Sequence, residues 1–328
     1  MRFRCLALFI LLFFIYSGCA PPKIRLYPSS ADPLREFTLQ GKEKDKLLVI
    51  PIRGIISDAP KEQIFRTKPS MVQEFVSQLR RAEKDPQIKA VLLKIDSPGG
   101  SVIASDILYT EIEGFKKRTG AKVTVIMMGI AASGGYYISL PADYIMAHPG
   151  TVTGSIGVIF FRPQIHGLMG KIGVDVEVNK SGRNKDMGSP FRRSTAEEER
   201  ILQGLTDQLA KQFLDKVTLH RKLDSNTVSE ISSARIYLAH EAVELGLIDK
   251  VGHIDDALVE TKKLAGLSEN HRVIVYRRIE YPDDNLYNTS TNRIAGGGSA
   301  LISLSLPGSM SGLQAGFYYL WAPAVAGE

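Results

Sequence analysis

Cysteine is nearly absent from this 328-residue chain, which has only Cys5 and Cys19. The rest of the chain therefore has no disulfide and no cysteine-based metal site. Neither sign of charge dominates, since 41 Lys and Arg face 35 Asp and Glu, and no concentrated basic stripe suggests nucleic-acid binding. Apolar residues at 44% and charged residues at 23% exclude disordered, collagen-like and coiled-coil chains.

The N-terminal apolar run is too short for a membrane span. It covers Cys5 to Tyr16, whereas a spanning helix needs ~20 residues. A basic segment precedes it and Tyr16-Ser17-Gly18-Cys19 ends it, which resembles a bacterial lipobox with Tyr16 in place of the usual Leu. We predict that residues 1–18 are a signal peptide and that Cys19 carries lipid. A simple signal peptide or an uncleaved anchor is the alternative.

Residues 19–46 contain four prolines and no sustained apolar period, which is typical of a tether. A lipid anchor followed by a tether predicts a protein of the bacterial cell envelope, attached to a membrane. Residues 266–328 are predicted to form a C-terminal strand and an uncharged tail, because no charged residue occurs from Ile294 to Gly327. The tail is either flexible or an interface or membrane-surface segment around residues 317–321.

Between these ends, residues 47–265 alternate between short apolar runs and helical stripes, which predicts an α/β fold with a parallel sheet. Two overlapping capping boxes, Ser194 with Glu197 and Thr195 with Glu198, predict the start of a long helix. The predicted strands are 47–52, 90–95, 123–128, 144–147, 157–161 and 174–179, and the main predicted helices are 102–115, 194–221 and 255–264.

Two glycine-rich turns follow predicted strands. Ser97-Pro98-Gly99-Gly100 leads into a helix, where backbone N–H groups favour an anion or an oxyanion. Gly129 to Tyr137 places Ser133 among small residues, as in a nucleophile elbow, although the pattern Gly-x-Ser-x-Gly fails at Ala131. Taken alone, each turn favours a structural role, the first as a tight turn and the second as a helix cap.

A nucleophilic serine needs a base. Of the six histidines only His148 ends a strand near these turns, and it stays a rival. No serine has a lysine three residues later, which excludes the Ser-x-x-Lys pattern. Lys185, in the polar loop Ser181 to Asp186, is the best lysine candidate, since burial can convert a lysine into a base.

Four motifs in order resemble the signal peptide peptidase A (protease IV) family of serine peptidases. They are Ser97-Pro98-Gly99-Gly100, Ala132-Ser133-Gly134-Gly135-Tyr136-Tyr137, Thr153-Gly154-Ser155-Ile156-Gly157 and Ser181-Gly182-x-x-Lys185-Asp186. The resemblance implies a ClpP/crotonase-like fold with stacked βα units over residues 47–265 and a Ser/Lys dyad. It implies no metal or other cofactor.

By motif position, the resemblance implies that Ser133 is the nucleophile and Lys185 the general base, with Ser155 orienting the lysine. The N–H groups of Gly100 and Gly134 would form the oxyanion hole. The family degrades remnant signal peptides and assembles into homo-oligomeric rings. A peptide substrate and a ring are therefore expected, with a crotonase-type acyl-CoA enzyme and a non-catalytic assembly module as alternatives.

Overall fold

A computed structural model describes residues 33–63, 66–278, 286 and 315–325. The predicted signal peptide, Cys19 and the first half of the tether, up to residue 32, lie outside the described residues, as does most of the uncharged tail. Within the described part, no helix combines the length and the apolar character needed to cross a bilayer.

A nine-stranded sheet forms the centre of the molecule, in the order β1-β13-β2-β5-β7-β8-β12, with β9 pairing β7 and β11 pairing β9. Its strands are β1 Arg35–Gln40, β2 Lys46–Arg53, β5 Ile88–Ser97, β7 Lys122–Ala132, β8 Tyr144–Ala147, β9 Val152–Gly154, β11 Ile236–Leu238, β12 Lys250–Val251 and β13 Arg272–Arg277. Strands β2, β5, β7 and β8 are parallel neighbours. The parallel arrangement agrees with the α/β prediction.

Helices cover both faces of this sheet. The helices are α1 Met71–Ala82, α2 Val102–Thr119, α3 Gly134–Tyr137, α4 His166–Ile172, α5 Ala196–His220, α6 Ser225–Ile231, α7 Ala239–Glu244 and α8 Ile254–Ala265, and a short 3₁₀ turn covers Ala322–Val325. Leu48 and Ile50 of β2 face one apolar cluster and Leu47 and Val49 face the other. Burial on both faces explains why the strands are apolar runs without alternation.

A second, antiparallel sheet of three strands lies beside the first, in the order β10-β14-β6. Its strands are β6 Gly99–Ser101, β10 Ile159–Phe161 and β14 Gly316–Leu320, and a separate hairpin joins β3 Lys61–Gln63 to β4 Arg66–Lys68. The segment Phe317 to Leu320, for which the sequence left two interpretations, is therefore a paired central strand.

Local signals explain where the helices begin and end. Ser70 caps α1 in a reciprocal capping box with Gln73. Phe75 and Leu79 of this helix are buried in the core. Complete burial of such side chains stabilises the fold by about 1.5–3 kcal/mol each. Helix α2 ends where Gly120 adopts a left-handed φ of 69°.

The sheet also extends beyond the predicted peptidase region. Strand β1, within the predicted tether, pairs β13, and β13 pairs β2 in parallel register. The prediction of a strand over 174–179 is wrong, because this segment is coil with no strand partner among the described residues. Its alternating valines, Val174, Val176 and Val178, are 46%, 47% and 52% exposed.

Candidate active site

The two glycine-rich turns lie next to each other at the carboxyl edge of the sheet. Strands β5 and β7 are parallel neighbours, with Ser97 opposite Ala131 at their ends. Strand β9 continues the row, with Gly154 opposite Ala132. The sheet therefore brings the Ser97, Ser133 and Ser155 segments to one edge, which is where parallel α/β sheets place their ligands.

Ser133 is buried in a strained conformation. It is 1% exposed and its backbone has φ 52° and ψ −115°, a region that favours glycine. Its N–H donates to the Gly154 carbonyl (2.7 Å), which fixes the turn to β9. Strain of this kind costs about 1–3 kcal/mol and is concentrated at functional sites.

The hydroxyl of Ser133 is not a helix cap. Ser133 precedes α3 at the N-cap position, but its side chain makes no capping hydrogen bond. Its Oγ has no hydrogen-bond partner among the described residues. The structural interpretation of this serine as a cap therefore fails, and a buried hydroxyl without a partner remains to be explained.

The Ser97–Ser101 turn is held in place next to Ser133. The Ser97 hydroxyl donates to the Gly54 carbonyl (2.7 Å) and accepts from the Gly99 N–H (3.1 Å). Gly99 has φ 100°, and a Cβ there would lie 2.7 Å from the Gly134 nitrogen. A Cβ on Gly100 would lie 1.9 Å from the Ile56 carbonyl oxygen. Only glycine fits these positions. Gly99 lets the backbones of the two turns approach closely, and Gly100 lets the first turn lie against Ile56.

Ser155 lies one residue beyond the end of β9. It has φ 51° and is 8% exposed, and its N–H donates to the Arg235 carbonyl (2.8 Å). Ala132 of β7 is paired with Gly154 of β9. Ser133 and Ser155 are the next residues along these two strands, and the Ser133 N–H bond to Gly154 keeps the two strand ends together. Both predicted site serines thus have left-handed backbones at one sheet edge.

Lys185 is not joined to this pair within the single chain. Its side chain is exposed, and the Ser133 Oγ bonds to nothing among the described residues. The N–H of Lys185 donates to the Gly182 carbonyl (3.1 Å), so the lysine lies in a turn of its own loop. The structure brings the two serines and two glycines together but leaves the lysine in solvent.

Arg192, a residue that the motif analysis did not single out, holds the lysine loop against the start of α5. The guanidinium of Arg192 donates to the carboxylates of Asp186 (2.7 and 2.8 Å) and Glu198 (2.9 Å). These bonds lower the pKa of Asp186 and lower that of Glu198 to about 2. The Thr195–Glu198 capping box adds an N–H bond to the same carboxylate (2.8 Å). Asp186 in the lysine motif and Glu198 in the capping box were the sequence signals for this network, and neither indicated Arg192.

His148, the rival base, is occupied elsewhere. Its Nδ1 accepts from the Gly150 N–H (3.2 Å), and its ring stacks edge-on against His253 with centroids 4.9 Å apart. No bond joins it to the Ser133 hydroxyl, which has no partner among the described residues.

Aromatic side chains pack behind the serine turn. Tyr137 of α3 donates its hydroxyl to Asp106 (2.7 Å), and its ring contacts Phe213 and Tyr319 with centroids 5.0 and 5.1 Å away. Burial, followed by the bond to Asp106, raises the pKa of Tyr137, so this hydroxyl stays neutral. The cluster forms an apolar wall next to Gly99 and Gly100 of β6, which we call the glycine cradle.

Comparison with known proteins gives two family matches. Residues 115–268 match the model of peptidase family S49, and residues 61–151 match that of Clp protease. These ranges contain both serines, Lys185 and both glycine turns, and the Clp protease match agrees with the ClpP-like arrangement of the sheet.

Curated relatives cover most of the chain. A signal peptide peptidase SppA of Enterococcus faecium is 34% identical over 75% of this chain and 71% of its own. A protease of Methanocaldococcus jannaschii is 39% identical over 65% of this chain and 68% of its own. Protease 4 of Salmonella typhi is 35% identical over 60% of this chain and 31% of its own. With two relatives above 30% identity matched over more than two thirds of their length, the chain belongs to peptidase family S49 and is a serine peptidase.

Proposed function

We propose that the protein is an endopeptidase that uses a Ser/Lys dyad, with Ser133 as nucleophile and Lys185 as general base. The observation that carries the proposal is the Ser133 hydroxyl, which is buried and has no partner among the described residues. It lies between a glycine cradle and a second serine at the carboxyl edge of the sheet. A nucleophilic serine whose base is not yet in place has such a free hydroxyl, whereas a buried serine with a structural role would be hydrogen-bonded.

The chemistry is acyl transfer to serine. The Ser133 Oγ attacks the substrate carbonyl carbon while the neutral amine of Lys185 takes the hydroxyl proton. The N–H groups of Gly100 and Gly134 stabilise the resulting oxyanion. The amine of the leaving peptide departs with a proton from the lysine, and water then hydrolyses the Ser133 ester by the same route. Ser155 orients the lysine amine through a hydrogen bond.

The lysine is best supplied by a second copy of the chain. A lysine acts as a base only where burial disfavours its charged form, and Lys185 is exposed in the single chain. The segment before it presents Val174, Val176 and Val178 to solvent, an alternating pattern that fits a strand paired to another surface. A closed ring would bury this segment and bring Lys185 to the Ser133 of a neighbour.

The proposed substrates are apolar peptides such as remnant signal peptides at a membrane. The aromatic wall next to the glycine cradle suits apolar side chains, and a lipid on Cys19 would hold the protein at the membrane of the bacterial cell envelope. Cys19→Ser should then release the protein from membranes or block its maturation. A mature N-terminus at another residue, without lipid in intact-mass measurements, would contradict the anchor and leave the peptidase untouched.

The dyad is tested by active-site labelling of the purified protein. A fluorophosphonate should add to Ser133 in the wild type and not in Ser133→Ala, as measured by intact mass and peptide mapping. Hydrolysis of an apolar peptide should disappear in the same variant. A folded wild-type protein that neither reacts nor hydrolyses peptide would contradict the dyad and favour the non-catalytic assembly module. Turnover of an acyl-CoA without peptide hydrolysis would favour the crotonase-type enzyme.

A further inference from the structure

Strand β7 contains a bulge shortly before the proposed nucleophile. Its pairing with β5 is regular up to the residue before Asp96 and resumes one residue after it, opposite Ala131. Asp96 alone therefore faces residues 128–130 of β7. A bulge bends the strand that contains the extra residues and re-aims the side chains near it. Ser133 comes two residues after Ala131, so it follows the bulge closely.

The bulge is also the point where β7 changes its neighbour. Residues 124–127 pair with β8, and residues 130–132 pair with β9. This change brings the end of β7 against the strand that leads to Ser155, where the Ser133 N–H donates to the Gly154 carbonyl (2.7 Å). The place of Ser133 therefore depends on the shape of the bulge.

The side chain of Asp96 replaces a main-chain acceptor at the bulge. Its carboxylate accepts the Ile130 N–H (3.1 Å), at the point where the regular ladder between β5 and β7 is interrupted. Gly129 lies against the same group, since a Cβ there would lie 3.2 Å from the Asp96 Oδ1. The backbone of Asp96 is fixed as well, because its carbonyl accepts the Gly54 N–H (2.9 Å). The carboxylate thus reaches from a fixed strand into the bulge.

A buried threonine holds the bulge from the side of β9. Thr151 is 0% exposed, and its hydroxyl lies within hydrogen-bond distance of the carbonyl oxygens of Met127 (3.0 Å) and Met128. Asp96 binds the bulge through an N–H, and Thr151 binds it through carbonyl groups. Two side chains on opposite sides of β7 therefore fix its course towards Ser133.

The charge of Asp96 has a weaker partner than its hydrogen bond provides. The Nε of Arg53 lies 3.7 Å from the other carboxylate oxygen, and the two side chains are 48% and 35% exposed. Exposed ion pairs at such distances contribute little. We therefore expect the bond to Ile130, and not the pair with Arg53, to hold the bulge.

We infer that Asp96 is a positioning residue for the nucleophile, because it fixes the bulge of β7 that places Ser133 beside the glycine cradle. This inference rests on the proposed function of Ser133. Asp96 directly precedes Ser97, which begins the first glycine-rich turn, and its carboxylate bonds to the strand that leads into the second turn. It acts through the backbone of β7, and so it affects the rate through the distance and angle of the attacking hydroxyl.

Substitutions of Asp96 test the inference by steady-state kinetics and by the rate at which a fluorophosphonate labels Ser133. Asp96→Ala should lower kcat and the labelling rate by ~10–100-fold with a smaller change in KM, because a displaced nucleophile costs rate more than binding. Asp96→Asn keeps an oxygen that can accept the Ile130 N–H and should recover most of both rates. The matched control is Arg53→Gln, which removes the ion pair and should keep the wild-type rates.

Far-UV circular dichroism establishes which variants are folded. A folded Asp96→Ala protein with wild-type kcat and labelling rate would overturn the inference and leave Ser133 as the proposed nucleophile. Equal losses in Asp96→Ala and Asp96→Asn, or the same loss in Arg53→Gln, would show that the charge matters and would also overturn it.

If Asp96→Ala does not fold, Thr151→Val takes its place, because it frees the same bulge from the side of β9. The same loss of kcat with little change in KM is then expected, and wild-type kinetics would contradict the role of the bulge. A wild-type protein that is neither labelled at Ser133 nor able to hydrolyse peptide would overturn the proposed function, and the inference with it.

Discussion

The backbone of Ser133 is strained, because its φ of 52° and ψ of −115° are unfavourable for any residue with a Cβ and would be relaxed in a glycine. This strain lets stability and activity be separated by two substitutions. Ser133→Ala keeps the Cβ and its strain, while Ser133→Gly removes both the hydroxyl and the strain.

We predict that both variants lose activity, by ~10³-fold or more in kcat/KM, because the nucleophile is gone. Thermal or denaturant unfolding should show Ser133→Gly to be more stable than Ser133→Ala by about 1 kcal/mol. Comparable stability of the two variants would mean that the left-handed conformation is not strained, and wild-type turnover by either would remove Ser133 from the chemistry.

The identity of the base is tested at Lys185 and His148. Lys185→Ala and Lys185→Arg should both lose activity, because an arginine stays protonated and cannot accept the serine proton. His148→Ala should keep wild-type activity, since His148 bonds to Gly150 and not to Ser133. The acid limb of kcat/KM should rise through an apparent pKa above that of a free imidazole, ~6.5, and persist in His148→Ala. Loss of activity in His148→Ala alone would point to a histidine base.

At the level of loops and helices, Arg192 joins the lysine loop to the start of α5. It bonds to Asp186, the neighbour of Lys185, and to Glu198 in the first turn of the helix. On the proposed mechanism we therefore expect Arg192 to be a positioning residue, which acts on the proposed base through the loop that carries it.

Arg192→Leu should lower kcat by ~10–100-fold with a smaller change in KM, because a displaced base costs rate more than binding. The matched control is Arg193→Leu, which removes the same charge from the exposed neighbouring position and should retain activity. Equal losses in both variants would indicate an effect of net charge instead of loop position. The two kinetic constants are measured with one apolar peptide.

The same network predicts an acid sensitivity. The bonds from Arg192 lower the pKa of Glu198 to about 2 from an ordinary value of 4.5. A carboxylate with a lowered folded-state pKa stabilises the fold fully above its unfolded value, and this contribution is lost as the pH falls from 4.5 towards 2. The unfolding midpoint of the wild type should therefore fall more steeply in this range than that of Glu198→Gln. Parallel curves would show that the ion pair does not contribute.

Local patterns predicted the central strands and the glycine turns well, because a buried strand and a turn with positive φ each depend on the residue types within a short stretch of sequence. They failed at residues 174–179, where alternation predicted a strand that has no partner among the described residues. Alternation of apolar and polar residues indicates that one face of a segment is buried, but it does not indicate which surface buries that face. The pairing of β14 with β6 joins Tyr319 to Gly100 across more than two hundred residues, and no local signal specifies such a contact.

For the whole molecule, the exposed position of Lys185 predicts that active sites are shared between copies. Ser133→Ala and Lys185→Ala, each inactive alone, should regain activity when mixed under conditions that allow subunit exchange. Random mixing of equal amounts leaves both groups intact at about one quarter of the sites of a closed ring. No recovery, with exchange verified by mass spectrometry of the assembly, would place the lysine in the same chain as its serine.

On the proposed function, a peptide substrate would pair with the two strand edges that flank β14, and these edges would determine what form it must take. Strands β6 and β10 offer main-chain donors and acceptors, which select an extended backbone before they select a sequence. A peptide within a bilayer is helical, with those same groups already bonded internally. Such a peptide has to unwind before it can be cut, so the lifetime of a membrane peptide near this enzyme should follow the ease of unwinding its helix, and a proline or glycine close to the cleaved bond would shorten it.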